Sequence, residues 1–168
     1  MTEKTWTWAF IATFYDDINR TVEVCRACEV QALELHPTNV AGLRNAEIDE
    51  LRERLAGDGI SVSSFHLPFP AEDDIASFYE STRRAAVDHM IHWIGIAGRL
   101  GARVGVQHPT VNRDPAAENG LDRYYEQLYR SLTEMLPAAR EAGVIIGLEN
   151  MTPGERGGRF FSQATHFS

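Results

Sequence analysis

Five side chains able to bind a metal ion or carry a proton stand near the ends of short apolar stretches in this 168-residue sequence: Glu34, His36, His66, His108 and Glu149. Imidazole and carboxylate together are the donor set of a divalent-metal centre or of a general acid–base site. His66 and His108 recur in matching settings, Phe65-His66-Leu67-Pro68 and Gln107-His108-Pro109, each one or two residues ahead of a proline. Glu149 closes the run Val144-Ile145-Ile146-Gly147-Leu148-Glu149-Asn150, whose apolar middle has the length of a buried strand. A lone carboxylate there is commonly a solvated strand end, and a lone histidine is commonly structural. Recurrence at successive strand ends is what points to a site.

The elements that must position these residues can be read along the chain. Strands are expected at 6–12, 32–37, 60–66, 102–108 and 144–150, three of them stopped by Pro37, Pro68 and Pro109. Helices are expected at 17–29, 45–56, 73–100 and 121–142. Asn45 reads as an N-cap, and Gly57-Asp58-Gly59 as a turn. Ile75, Phe78, Tyr79, Met90, Trp93 and Leu100 trace one face of the long third helix, which Gly101 closes. Pro137 inside the last helix is expected to kink it or to begin a separate segment.

Alternating strands and helices specify an α/β fold with a parallel sheet and right-handed crossovers. Every strand then ends on one edge of the sheet, and the five candidates gather there. Two architectures fit: an open doubly wound sheet, or the first part of a (β/α)8 barrel. The first turn, Thr13-Phe14-Tyr15-Asp16-Asp17, lacks the glycines of a nucleotide-binding sheet. A full barrel takes ~250 residues. Motif content favours the barrel and length favours the open sheet.

Composition narrows the partners. Twenty-four acids against 16 bases give a net charge of −8, which argues against nucleic acid. No run approaches the ~18 apolar residues of a membrane span, so no membrane partner is expected. The apolar stretch 6–12 is short and has no basic segment before it, so it reads as a strand rather than a signal segment, and the expected compartment is the cytoplasm. Cys25 and Cys28 lack the second pair that a four-cysteine zinc site needs, and with Ile18 and Val22 they fall at helical spacing, so core packing is expected. His89 and His92 read as ordinary helix residues. Arg156 and Arg159 could grip a phosphate, although a solvated loop is the plainer reading. His166 is given no role.

Ser64-Phe65-His66-Leu67-Pro68, Val106-Gln107-His108-Pro109 and Ile146-Gly147-Leu148-Glu149-Asn150 resemble the third-, fourth- and fifth-strand signatures of the xylose isomerase-like TIM barrels. That superfamily holds sugar-phosphate isomerases and epimerases together with metal-dependent AP endonucleases. The resemblance runs in order and spacing through essentially the whole chain. It implies one domain over 1–168: an incomplete TIM barrel, with about five strands and four helices of a (β/α)8 barrel. It further implies a divalent metal (manganese, magnesium, cobalt or zinc) at the C-terminal face.

By that resemblance Glu149 matches the family's first metal-binding glutamate, which also takes part in proton transfer beside a carbonyl. His66 and His108 match histidines that bind substrate in the isomerases and metal in the endonucleases, and Asn150 is a candidate for a substrate hydroxyl. Glu34 and His36, alternating with Leu33 and Leu35, share a face and are expected to line the substrate pocket. The family takes its remaining ligands, an aspartate, a histidine and a last glutamate, from strands six to eight, which these residues do not include. The metal site is therefore expected to be incomplete, and the chain alone inactive or nearly so.

The implied function is isomerisation or epimerisation of a small sugar, sugar phosphate or cyclitol by metal-assisted proton transfer. One alternative is an AP endonuclease-like phosphodiesterase, which would need a basic groove that the net charge disfavours. Another is a non-catalytic half-barrel that self-associates through the edge left open after the fifth strand.

Overall fold

A computed structural model describes residues 9–12, 17–109 and 120–151. The elements are β1 (Ala9–Ile11), α1 (Ile18–Ala27), β2 (Ala32–Leu35), α2 (Pro37–Val40), α3 (Asn45–Gly57), β3 (Ser61–His66), a 3-10 turn (Ala71–Asp73), α4 (Glu80–Arg99), β4 (Val104–Gln107), α5 (Leu121–Ala142) and β5 (Ile145–Leu148). All four strand pairings are parallel, and the strands lie in the order β1-β2-β3-β4-β5. A doubly wound sheet reverses its order at a switch point. This one never does, so it is part of a barrel wall.

The core lies between sheet and helices. Leu33, Leu35 and Phe65 are fully buried, and the Phe65 ring stacks on Trp93 of α4 at 5.7 Å. Two devices hold α4 to α5. A β-carbon on Gly98 would stand 2.6 Å from the Ala142 carbonyl oxygen, so glycine is what lets the helices approach. Arg83, buried on α4, donates to Glu80, to Ser131 at 2.9 Å and to Glu134 at 2.9 Å. Ser131 donates in turn to the Ile75 carbonyl at 2.7 Å. At the sheet's edge strand, Ile145 of β5 is 64% exposed.

Several sequence expectations are corrected. The third helix starts at Glu80, not 73, because side chains capture the backbone before it: Asp74 Oδ1 accepts from the Ala76 N–H and Ser77 Oγ from the Tyr79 N–H. Tyr79, expected on the apolar face, is exposed. Asn45 is inside α3; the N-cap is Arg44, whose backbone N–H is taken by Glu47 at 2.7 Å. The last helix runs unbroken through Pro137, where both the proline and Thr133, the residue four earlier, are exposed and the freed carbonyl can turn to solvent. Cys25 is in the core, but Cys28 caps α1 and is exposed; both thiols are free. Burial, and to a smaller extent Cys28, pushes the Cys25 thiol upward. The first-strand expectation at 6–8 lies outside the described residues.

Candidate metal centre

The sheet ladder continues past the strands and fixes where the candidate side chains emerge. The Leu67 N–H donates to the Val106 carbonyl at 2.8 Å, and the Glu149 N–H to the Gln107 carbonyl at 3.0 Å. His66, His108 and Glu149 are thereby held side by side at the C-terminal edge. Glu149 Oε2 lies 2.9 Å from His108 Nε2 and 3.3 Å from His66 Nε2. One ligand atom from each of the three falls within 4.8 Å of the others.

Hydrogen bonding places a proton on one nitrogen of His66. His66 Nδ1 lies 3.0 Å from the Leu67 carbonyl oxygen, which can only accept, so this nitrogen holds the proton. In the neutral ring Nε2 is then a bare lone pair, turned towards a carboxylate oxygen. Glu149 Oε2 is itself buried and, among the described residues, has no hydrogen-bond partner. A bare imidazole nitrogen facing this carboxylate oxygen is electrostatically unfavourable until a proton or a cation joins them. A backbone carbonyl on the far nitrogen is also how metal-ligating histidines are oriented. The residues present fit a divalent cation.

Phe69 was not legible as a site residue, yet it shapes the cluster. Its ring stacks on His108 with centroids 4.2 Å apart and planes 19° from parallel, and it meets His66 edge-on at 5.1 Å. It remains 44% exposed. The available signal was Leu67-Pro68-Phe69-Pro70. Two prolines stiffen the backbone on either side of an aromatic that follows a strand-end histidine.

The second strand contributes nearby. The β2–β3 register shifts between Leu33 and Glu34, passing over Ser63 and placing Ser64 opposite Glu34. Ser63 Oγ donates to the Leu33 carbonyl at 2.9 Å and Ser64 Oγ to Glu34 Oε2 at 2.7 Å. The His36 ring sits 5.8 Å from that of His66, centroid to centroid. Burial, and then the neighbouring His66, lowers the His36 pKa from its ordinary value. Neither Glu34 nor His36 belongs to the three-residue cluster, and Asn150 is exposed beside it. Arg156, Arg159 and His166 lie outside the described residues. His89 is bonded to Asp73 and Trp93, both at 2.8 Å, as a structural helix histidine would be. A cleft of about 330 Å³ lined by Arg52, Leu55, Ile60 and Leu100 opens near the start of β3 and holds none of the candidates.

The profile of the xylose isomerase-like TIM barrel family matches residues 16–167. The chain belongs to the xylose isomerase-like TIM barrel family. No curated protein sequence matches this xylose isomerase-like chain. Among solved structures it is similar to a D-tagatose 3-epimerase-like protein (23% identity, TM-score 0.72, covering 90% of this chain and 55% of that one). It is also similar to the D-psicose 3-epimerase of Clostridium cellulolyticum H10 crystallised with D-tagatose (16% identity, TM-score 0.78, 92% and 55% covered). A third likeness is to the IolI protein with a bound zinc atom (17% identity, TM-score 0.67, 85% and 51% covered). At such identities these likenesses speak for the fold. This xylose isomerase-like chain spans about half the length of each.

Proposed function

We propose that the His66–His108–Glu149 cluster is part of a divalent-metal site at which a small sugar or cyclitol, free or phosphorylated, is isomerised or epimerised by proton transfer beside its carbonyl. The observation that carries this reading is the orphaned Glu149 Oε2, 2.9 and 3.3 Å from two imidazole nitrogens. Zinc, manganese, magnesium or cobalt would be held by His66 Nε2, His108 Nε2 and Glu149 Oε2. When bound, such an ion polarises a carbonyl oxygen and so acidifies the neighbouring C–H.

The remaining chemistry belongs to side chains. Glu149 is only half-buried, so its second oxygen, Oε1, can remove a substrate proton and return it. Asn150 and Glu34 bind hydroxyl groups at the rim. Net epimerisation takes a proton from one face of a carbon and delivers one to the other, which requires a second acid–base group. The cluster as described holds one carboxylate. Little net turnover is therefore expected from these 168 residues alone.

One base can nevertheless exchange a proton with solvent. With D-tagatose or D-fructose, zinc and this chain in D2O, NMR should show deuterium entering beside the carbonyl faster than any epimer forms. The exchange should require the metal and fail in Glu149→Gln. No exchange above the free-metal background, or exchange indifferent to Glu149→Gln, would contradict the reading.

A further inference from the structure

We propose that His36 is a hydrogen-bond donor to an oxygen of the sugar bound beside the cluster, and not a fourth ligand within it; this rests on the reading of the cluster given above. His36 follows β2 and is the N-cap of α2. Its Nδ1 accepts the backbone N–H of Thr38 at 3.3 Å, with Thr38 Oγ1 at 3.0 Å from the same nitrogen. An amide N–H can only donate, so Nδ1 bears no proton and the neutral ring carries it on Nε2.

The anchor is interlocked. Asn39 Oδ1 accepts the His36 backbone N–H at 2.8 Å, and Asn39 Nδ2 donates to the Ala12 carbonyl at the end of β1 at 3.2 Å. The cap of the short helix is satisfied within the turn. The surplus group is the imidazole Nε2–H, which has no partner among the described residues.

His66 and His36 therefore take opposite tautomers with their rings 5.8 Å apart. One presents a lone pair, which a cation needs; the other presents an N–H, which a cation cannot use and an oxygen can. Glu34, two residues earlier in β2 and tied to Ser64, adds an acceptor. Donor and acceptor together suit the hydroxyl and carbonyl oxygens of a polyol.

Long-range proton–nitrogen NMR of the imidazoles in the 168-residue chain tests this. The metal-free protein should show His36 protonated at Nε2. Zinc should move the His66 and His108 signals and leave His36 Nε2 in place; D-tagatose added next should move the His36 N–H. Asparagine keeps the cap but lacks the reach, so His36→Asn should weaken D-tagatose binding about tenfold, the loss of one hydrogen bond, while zinc affinity stays within about twofold. His36→Gln, which restores an N–H near the Nε2 position, should recover part of the loss.

A proton on His36 Nδ1, a zinc-induced shift of His36 Nε2 like that of His66, or a His36 signal indifferent to saturating D-tagatose overturns the proposal. Zinc that leaves His66 and His108 unmoved overturns the metal reading instead, and the response of His36 to the sugar then decides the donor assignment by itself.

Discussion

In its neutral form His66 turns a lone pair towards Glu149, with Nε2 and Oε2 3.3 Å apart, because its Nδ1–H is committed to the Leu67 carbonyl. The chain itself creates this unfavourable contact. The backbone carbonyl fixes the ring, and the β4–β5 ladder fixes the glutamate. A proton or a cation shared by the two would relieve it.

Phe69 should matter to that cation without touching it. Its stacking on His108 holds the imidazole in plane at the mouth of the cluster. Phe69→Ala should leave the fold intact but lower zinc affinity about tenfold, as loss of an orienting neighbour does; Phe69→Tyr should restore it. Competition against a chromogenic chelator reads both, with thermal unfolding as the control.

Arg83 is the polar pin between α4 and α5. Arg83→Met should keep the buried volume but strand Ser131 and two half-exposed carboxylates, destabilising the fold by about 1–3 kcal/mol in urea titration. Its partner Glu80 makes the effect pH-dependent. The Arg83 hydrogen bond pulls the Glu80 carboxyl from its ordinary 4.5 down to about 2. A pKa lower in the folded state means that the stabilisation is complete above about 4.5 and disappears as pH falls through about 2. Glu80→Gln should therefore flatten the loss of stability across that window.

Two glycines of α4 should respond in opposite directions. Gly95 faces open space, so Gly95→Ala should stabilise by roughly 0.5–1 kcal/mol through helix propensity. At Gly98 a β-carbon meets Ala142 backbone, so Gly98→Ala should destabilise by about 1–3 kcal/mol. Thermal unfolding of both variants separates the two cases.

The convergence of His66, His108 and Glu149 was legible because parallel strands end on one edge, and because each residue closes a short apolar run, two of them near prolines. Strand order was not legible: whether a sheet closes into a barrel or reverses depends on which strands pair, and no periodicity encodes that. The late start of α4 was hidden because Asp74 and Ser77 bond to backbone N–H groups that a helical wheel assigns to the helix. Tyr79 accordingly fell on the apolar side of a wheel that does not exist there. His36 was legible as a strand-end histidine sharing a face with Glu34; its tautomer was not, since it is set by the Thr38 N–H in a four-residue helix unseen in the pattern.

The most direct measurement is zinc binding to this chain and to Glu149→Gln by isothermal titration calorimetry at neutral pH. One zinc per chain is expected for the unaltered protein, with protons released as the ion displaces them from its ligands. Affinity should be at least about tenfold weaker in Glu149→Gln, without loss of thermal stability. Equal zinc affinity in the two proteins, or no saturable site in either, would contradict the claim that these three residues form a metal centre.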